Sequence, residues 1–117
     1  MDITYNQELN YISLVTSGIV NMIALREISQ KIKTSIANFH CQRILHDLRD
    51  AQIDLETYEI YNTPERVKEA GYSTSRRALI FSSDAQDFSF FETVSSNKGQ
   101  LVRVFTDDKE AIDWLLS

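Results

Sequence analysis

The stretch Gln42-Arg-Ile-Leu-His-Asp-Leu-Arg-Asp-Ala-Gln-Ile-Asp54 decides how the rest of the chain is read. Arg43 to Leu48 holds Ile44, Leu45 and Leu48 in a short run bounded by polar residues, the pattern of a buried strand. Arg49 to Asp54 is mostly polar and reads as a loop. Asp54 is then placed to accept hydrogen bonds from the exposed amides of a first helical turn. A strand, a loop and a helix in that order make half of a βαβ unit, so repeats of the pattern are expected on either side.

Upstream, Ile3-Thr-Tyr-Asn6 alternates apolar with polar, and Tyr11-Ile-Ser-Leu-Val-Thr16 is rich in β-branched and aromatic residues. The short connection Gln7 to Asn10 makes them an antiparallel hairpin. Leu25, Ile28, Ile32, Ile36 and Phe39 recur at spacings of three and four, which puts them on one face of a helix from Asn21, its N-cap, to Asn38. Downstream, the second helical region opens at Asp54, breaks near Asn62-Thr-Pro64, restarts with Thr63 as N-cap and stops at Gly71. The wholly apolar Ala78-Leu-Ile-Phe81 is expected to be a strand covered on both faces. Ser83-Asp-Ala-Gln86 has capping-box spacing and predicts a third helix carrying Phe88, Phe91 and Val94, ended by Lys98 and Gly99. Leu101 to Phe105 is the fifth strand. Asp107 and Glu110 cap a last helix that buries Ala111, Trp114 and Leu115. The order ββαβαβαβα predicts a mixed, mostly parallel five-stranded sheet with four main helices, in a single α/β domain over residues 1–117.

Composition narrows the function. Three glycines, one proline and 43% hydrophobic residues suit one globular core. A net charge of −5 disfavours nucleic acid and anionic membranes as partners, and Arg76 and Arg77, the only adjacent arginines, read as a solvated loop end. No apolar run approaches the roughly 20 residues that span a bilayer. A lone cysteine, Cys41, and a start without signal-peptide features predict a cytoplasmic protein.

Three local patterns carry a resemblance: Ile44-Leu-His-Asp-Leu-Arg49 at the strand end, the short helix after Asp54, and the ending Val104-Phe-Thr-Asp-Asp-Lys-Glu-Ala-Ile-Asp-Trp-Leu-Leu116. With the element order, they make the chain resemble the STAS domain (sulphate transporter and anti-sigma factor antagonist), in its small stand-alone SpoIIAA-like group. The resemblance implies a bacterial protein-binding switch domain. In anti-sigma factor antagonists an Asp-Ser-Ser-Gly motif follows the third strand, and a partner kinase phosphorylates one of its serines. Here the matching residues are Asp54-Leu-Glu-Thr57. Leu55 has no hydroxyl to phosphorylate, so the resemblance implies the docking role without that switch. The partner-binding residues it points to are Asp47, Arg49, Asp50, Asp54 and Leu55.

Ligands of open α/β sheets sit at the carboxyl ends of the strands. That edge is expected to gather Asp47, Arg49, Asp50, Asp54, Ser82, Ser83, Asp84, Thr106, Asp107 and Asp108. It reads either as a dock for a basic partner or divalent cation, or as N-caps and solvated carboxylates paired to Arg49. His40, Cys41 and His46 are the only soft metal ligands, and the strand places His46 away from the other two, so no metal or other cofactor is expected. His46 approaches Ser82 or Ser83 if the third and fourth strands are neighbours, which leaves a hydrolase as a third reading. No oxyanion hole or nucleophile motif accompanies it, and a non-enzyme is expected. Phe90 lies about 160° round a helix from Phe88, so the aromatics cannot share one narrow stripe. Tyr58, Tyr61, Phe88 and Phe91 therefore frame the alternative reading, a carrier or sensor of a small apolar, lipid-like ligand, as in the related CRAL-TRIO domains. The same rings also read as a homodimer contact or, more simply, as ordinary core packing with one stray exposed ring.

Overall fold

A computed structural model describes residues 1–83 and 88–117. The hairpin forms as its short connection requires: β1 (Asp2–Asn6) runs antiparallel to β2 (Tyr11–Val20), with Ile3 opposite Leu14 and Tyr5 opposite Ile12. Asn21 caps α1 (Met22–Phe39) by accepting from Ala24 N at 3.0 Å, and Ile28 and Ile32 are buried on its inner face.

The polar stretch after Leu48 is not a loop. β3 is one strand from Arg43 to Ile53, parallel to β2 over nearly its whole length. The register steps from Val15↔Asp47 to Ser17↔Asp50, so β3 carries one extra residue, a β-bulge. The bulge reverses the alternation of side chains. Ile44, His46 and Leu48 point inward before it, and Ala51 and Ile53 do so after it, while Asp50 and Gln52 stay exposed.

The helix expected at Asp54 begins later. α2 (Thr57–Tyr61) is capped by Glu56, whose side chain and that of Glu59 form a reciprocal capping box. α3 (Thr63–Ala70) takes Asn62, not Thr63, as its N-cap, carries Pro64 in its first turn, and ends where Gly71 adopts φ 91°. That conformation is cheap only for glycine. β4 (Arg76–Ile80) follows. α4 (Phe90–Asn97) starts after Phe88, so Phe88 precedes the helix instead of riding on it. The expected capping box at Ser83 to Gln86 falls mostly on residues 84–87, outside the described residues. β5 (Leu101–Phe105) has the predicted bounds, and α5 (Asp108–Leu115) is capped by Asp107, which accepts from Glu110 N at 3.0 Å. The described helices therefore number five, because the second helical region is two short helices.

The sheet order is β1-β2-β3-β4-β5, parallel from β2 onward. Helices α1, α3 and α4 cover one face, over Ile12, Leu14, Ile44, Leu48 and Phe81. α5 lies on the opposite face, where Ala111 and Leu115 close over Leu45, Ala78 and Ile80.

Candidate functional site

The bulge in β3 shapes the carboxyl edge of the sheet. Arg49 N donates to Asp47 Oδ1 at 3.0 Å, and the Arg49 guanidinium returns to the same carboxylate through Nε at 3.0 Å and Nη2 at 2.7 Å. Nη2 also reaches Asp108 Oδ1 at 2.7 Å, so one arginine ties β3 to the start of α5. Hydrogen bonding from Arg49 holds the Asp47 carboxyl below its usual range, and the same contact pushes the guanidinium up. Asp50 and Asp54 are exposed, and Asp54 contributes its backbone N–H, not a cap, to Val20 O at 2.9 Å. Among the described residues no group of three His, Cys, Asp or Glu side chains is placed to hold a metal ion.

Leu55 follows on the same edge and opens onto a surface groove of about 300 Å³, lined by Ile53, Leu55, Thr57, Ile60, Tyr61, Phe88 and Phe90. Tyr61 stacks on Phe90 at 6.2 Å between centroids. The four aromatics expected to frame a ligand pocket are thus divided. Tyr61 and Phe88 wall the groove, Tyr58 is 67% exposed outside it, and Phe91 turns into the interior near Phe81. Phe90 and Ile60, not expected at the site, complete the groove.

The interior between the sheet and α1, α3 and α4 is more polar than the apolar pattern suggests. His46 is buried, and its Nε2 lies 2.8 Å from Thr16 Oγ1, so its partner is a β2 hydroxyl. Burial pushes its pKa down to about 4, only partly opposed by Asp47, and keeps the ring neutral at pH 7. Arg77 is not a solvated loop end. It lies within β4, is 7% exposed, donates from Nη2 to Gln100 Oε1 at 2.7 Å and stands 5.4 Å over the Tyr72 ring. Gln100 is held in turn by Pro64 O at 2.8 Å. Arg76, on the other face, lies 4.1 Å over Trp114 and donates to Trp114 O at 2.8 Å. The signal that could have found Arg77 is alternation: extending the strand by two residues puts it on the side of Leu79 and Phe81. The cavity it enters measures about 90 Å³ and is walled largely by aliphatic and aromatic side chains, Phe91 among them.

Two solved structures share the fold of this chain. One is an uncharacterized protein of the DUF3478 family with a SpoIIAA-like fold from Shewanella loihica PV-4, with a TM-score of 0.61 and 17% identity over 97% of this chain and 90% of that one. The other is the anti-sigma factor antagonist SpoIIAA in its unphosphorylated form, with a TM-score of 0.58 and 16% identity over 97% of this chain and 96% of that one. The chain has the SpoIIAA-like fold. No protein-family model and no curated protein matches the sequence. Within the SpoIIAA-like fold of this chain, Leu55 occupies the junction between β3 and α2, half-buried and without a hydroxyl. Among the described residues no helix is long and apolar enough to cross a membrane.

Proposed function

We propose that this SpoIIAA-like domain is a non-catalytic regulatory module that docks a protein partner across the carboxyl end of β3 and the start of α2. Asp47, Arg49, Asp50, Asp54 and Leu55 form the contact. The observation that carries the reading is the surface groove beside Leu55, walled by Ile53, Ile60, Tyr61, Phe88 and Phe90, with the exposed Asp54 and Glu56 on either side of Leu55 in the chain. Interfaces concentrate their energy in such a pocket flanked by exposed aromatics, here Tyr58 and Tyr61. The carboxylates flanking Leu55 favour a partner segment with an apolar side chain between basic ones. With leucine at position 55, binding is regulated by something other than phosphoryl transfer at that residue.

The test is capture on immobilised protein, read by quantitative mass spectrometry, with the wild type beside a charge-reversed Arg49→Glu/Asp50→Lys variant and a Leu55→Asp variant. A partner held through this surface is retained by the wild type and falls at least about tenfold on both folded variants, as loss of a contact worth about 2 kcal/mol requires. An identical set of captured proteins on all three sinks the reading. The carrier reading draws its support from the interior beside Phe91, not from Tyr58, which stands outside the groove in solvent.

A further inference from the structure

Arg77 is the anomaly of the interior. A cation withdrawn from water costs several kcal/mol unless a counter-charge meets it, so buried arginines are normally paired with carboxylates. Among the described residues no ion pair involves Arg77. Its compensation is one amide oxygen, that of Gln100, and the face of Tyr72. Its Nε–H is fully buried and has no hydrogen-bond acceptor among the described residues. Burial pushes the pKa down to about 10, which still leaves the side chain charged at pH 7.

Arg77 borders a space. The cavity of about 90 Å³ runs between the sheet and the three helices of that face, and Arg77 is the only charged side chain on its wall among the described residues. His46, neutral at pH 7, adds no second charge, and of the hydroxyls of Thr63, Tyr72 and Ser95 on the wall, the first two are already bonded to Glu59 O and Ser29 Oγ. Leu25, Ile28 and Val67 make part of the apolar remainder. We propose that this cavity is a binding site for a small organic monoanion, a carboxylate on a short aliphatic chain, with its oxygens received by the Arg77 guanidinium and its chain against α1 and α3.

The chemistry selects the class. A carboxylate matches a guanidinium edge in shape and supplies one unit of charge. A phosphate dianion needs more donors than one arginine and three hydroxyls, two of them already engaged elsewhere, provide in a dry apolar wall. Size sets the chain: a cavity of about 150 Å³ takes benzene, so this one takes about four heavy atoms, with the partly open mouth admitting one or two more. Acetate, propanoate and butanoate span that range. Ile53 and Leu55 line both this cavity and the surface groove, so the occupant lies beneath the docking surface proposed above.

The test compares two probes of the same chain on the wild-type protein. Uniformly nitrogen-15-labelled protein is titrated with sodium butanoate and, separately, with butan-1-ol, at constant ionic strength, and amide and arginine Nε–H resonances are followed. Butanoate is expected to shift the Arg77 Nε–H and the amides of His46, Ser95 and Val67 saturably, with a Kd at least about tenfold below that of butan-1-ol, since a charge-assisted hydrogen bond separates the two. Equal affinity for the alcohol, shifts confined to surface residues, or no saturable shift overturns the proposal. Arg77→Met, which keeps the length of the side chain, is expected to abolish the preference for the acid while leaving the alcohol bound. If that variant does not fold, the wild-type comparison decides alone, and failure of partner capture at Leu55 leaves it untouched.

Discussion

Lowering the pH should destabilise the fold through His46. Its pKa stands at about 4 in the folded protein against an ordinary 6.5, because burial penalises the imidazolium and Arg77 opposes it, with Asp47 compensating only in part. A depressed histidine pKa means that the unfolded chain binds the proton first. Between about pH 6.5 and 4 the unfolded state therefore gains protons that the folded state refuses, and stability falls as pH falls. At about 1.4 kcal/mol per pH unit, the displacement is worth about 3 kcal/mol, fully present above pH 6.5 and gone below 4. Asp47 acts below that window, since its folded pKa is depressed from 3.8 and its contribution is lost only at lower pH still. The assay is urea unfolding at half-unit steps from pH 7.5 to 4, on the wild type and on His46→Asn, which retains a polar group for Thr16. The wild type should lose about 3 kcal/mol more than the variant across this range. Relief of repulsion on a chain of net charge −5 is common to both proteins and cancels. Parallel stability curves would refute the reasoning.

Three other outcomes follow from contacts described above. Leu115→Ala should cost about 2–5 kcal/mol in urea denaturation, since Leu115 is 0% exposed and closes the face of the sheet under α5. Asp107→Ala should cost about 1 kcal/mol by the same measurement, because it removes the acceptor for Glu110 N. Arg49→Ala should change stability by less than about 1 kcal/mol although it breaks two ion pairs, since its side chain is 39% exposed and water screens both.

Much of the architecture was legible in the sequence because apolar spacing and capping residues agreed along most of the chain. The isoleucines of α1 with Asn21, and Val102 and Val104 of β5, are such cases. The reading failed where a local irregularity changed the period. At Leu48 the alternation that defines β3 breaks in the sequence, because the bulge shifts the inward positions to Ala51 and Ile53, and a continuing strand then reads as a polar loop. The start of α2 was misplaced for a related reason. Asp54 has the side chain of a cap, but its backbone is still committed to Val20 O, which leaves the capping to Glu56. At the candidate site, the acidic edge was visible as residue types, whereas the groove was not, since it joins Ile53 and Leu55 to Phe88 and Phe90 across the sheet. Arg77 was hidden because charge predicts exposure for single residues, and only its place in a strand overrides that prediction.

The placement of α5 bears on how the chain is made. Each strand is laid down beside the one synthesised just before it, so the face under α1, α3 and α4 can close progressively as residues leave the ribosome. The other face has no such order. Leu45, Ala78 and Ile80 wait for Ala111 and Leu115, which arrive only after every strand is complete. A chain cut before Asp108 would therefore keep the five described strands with one apolar side bare, the form in which a sheet is open to chaperones and to other copies of itself.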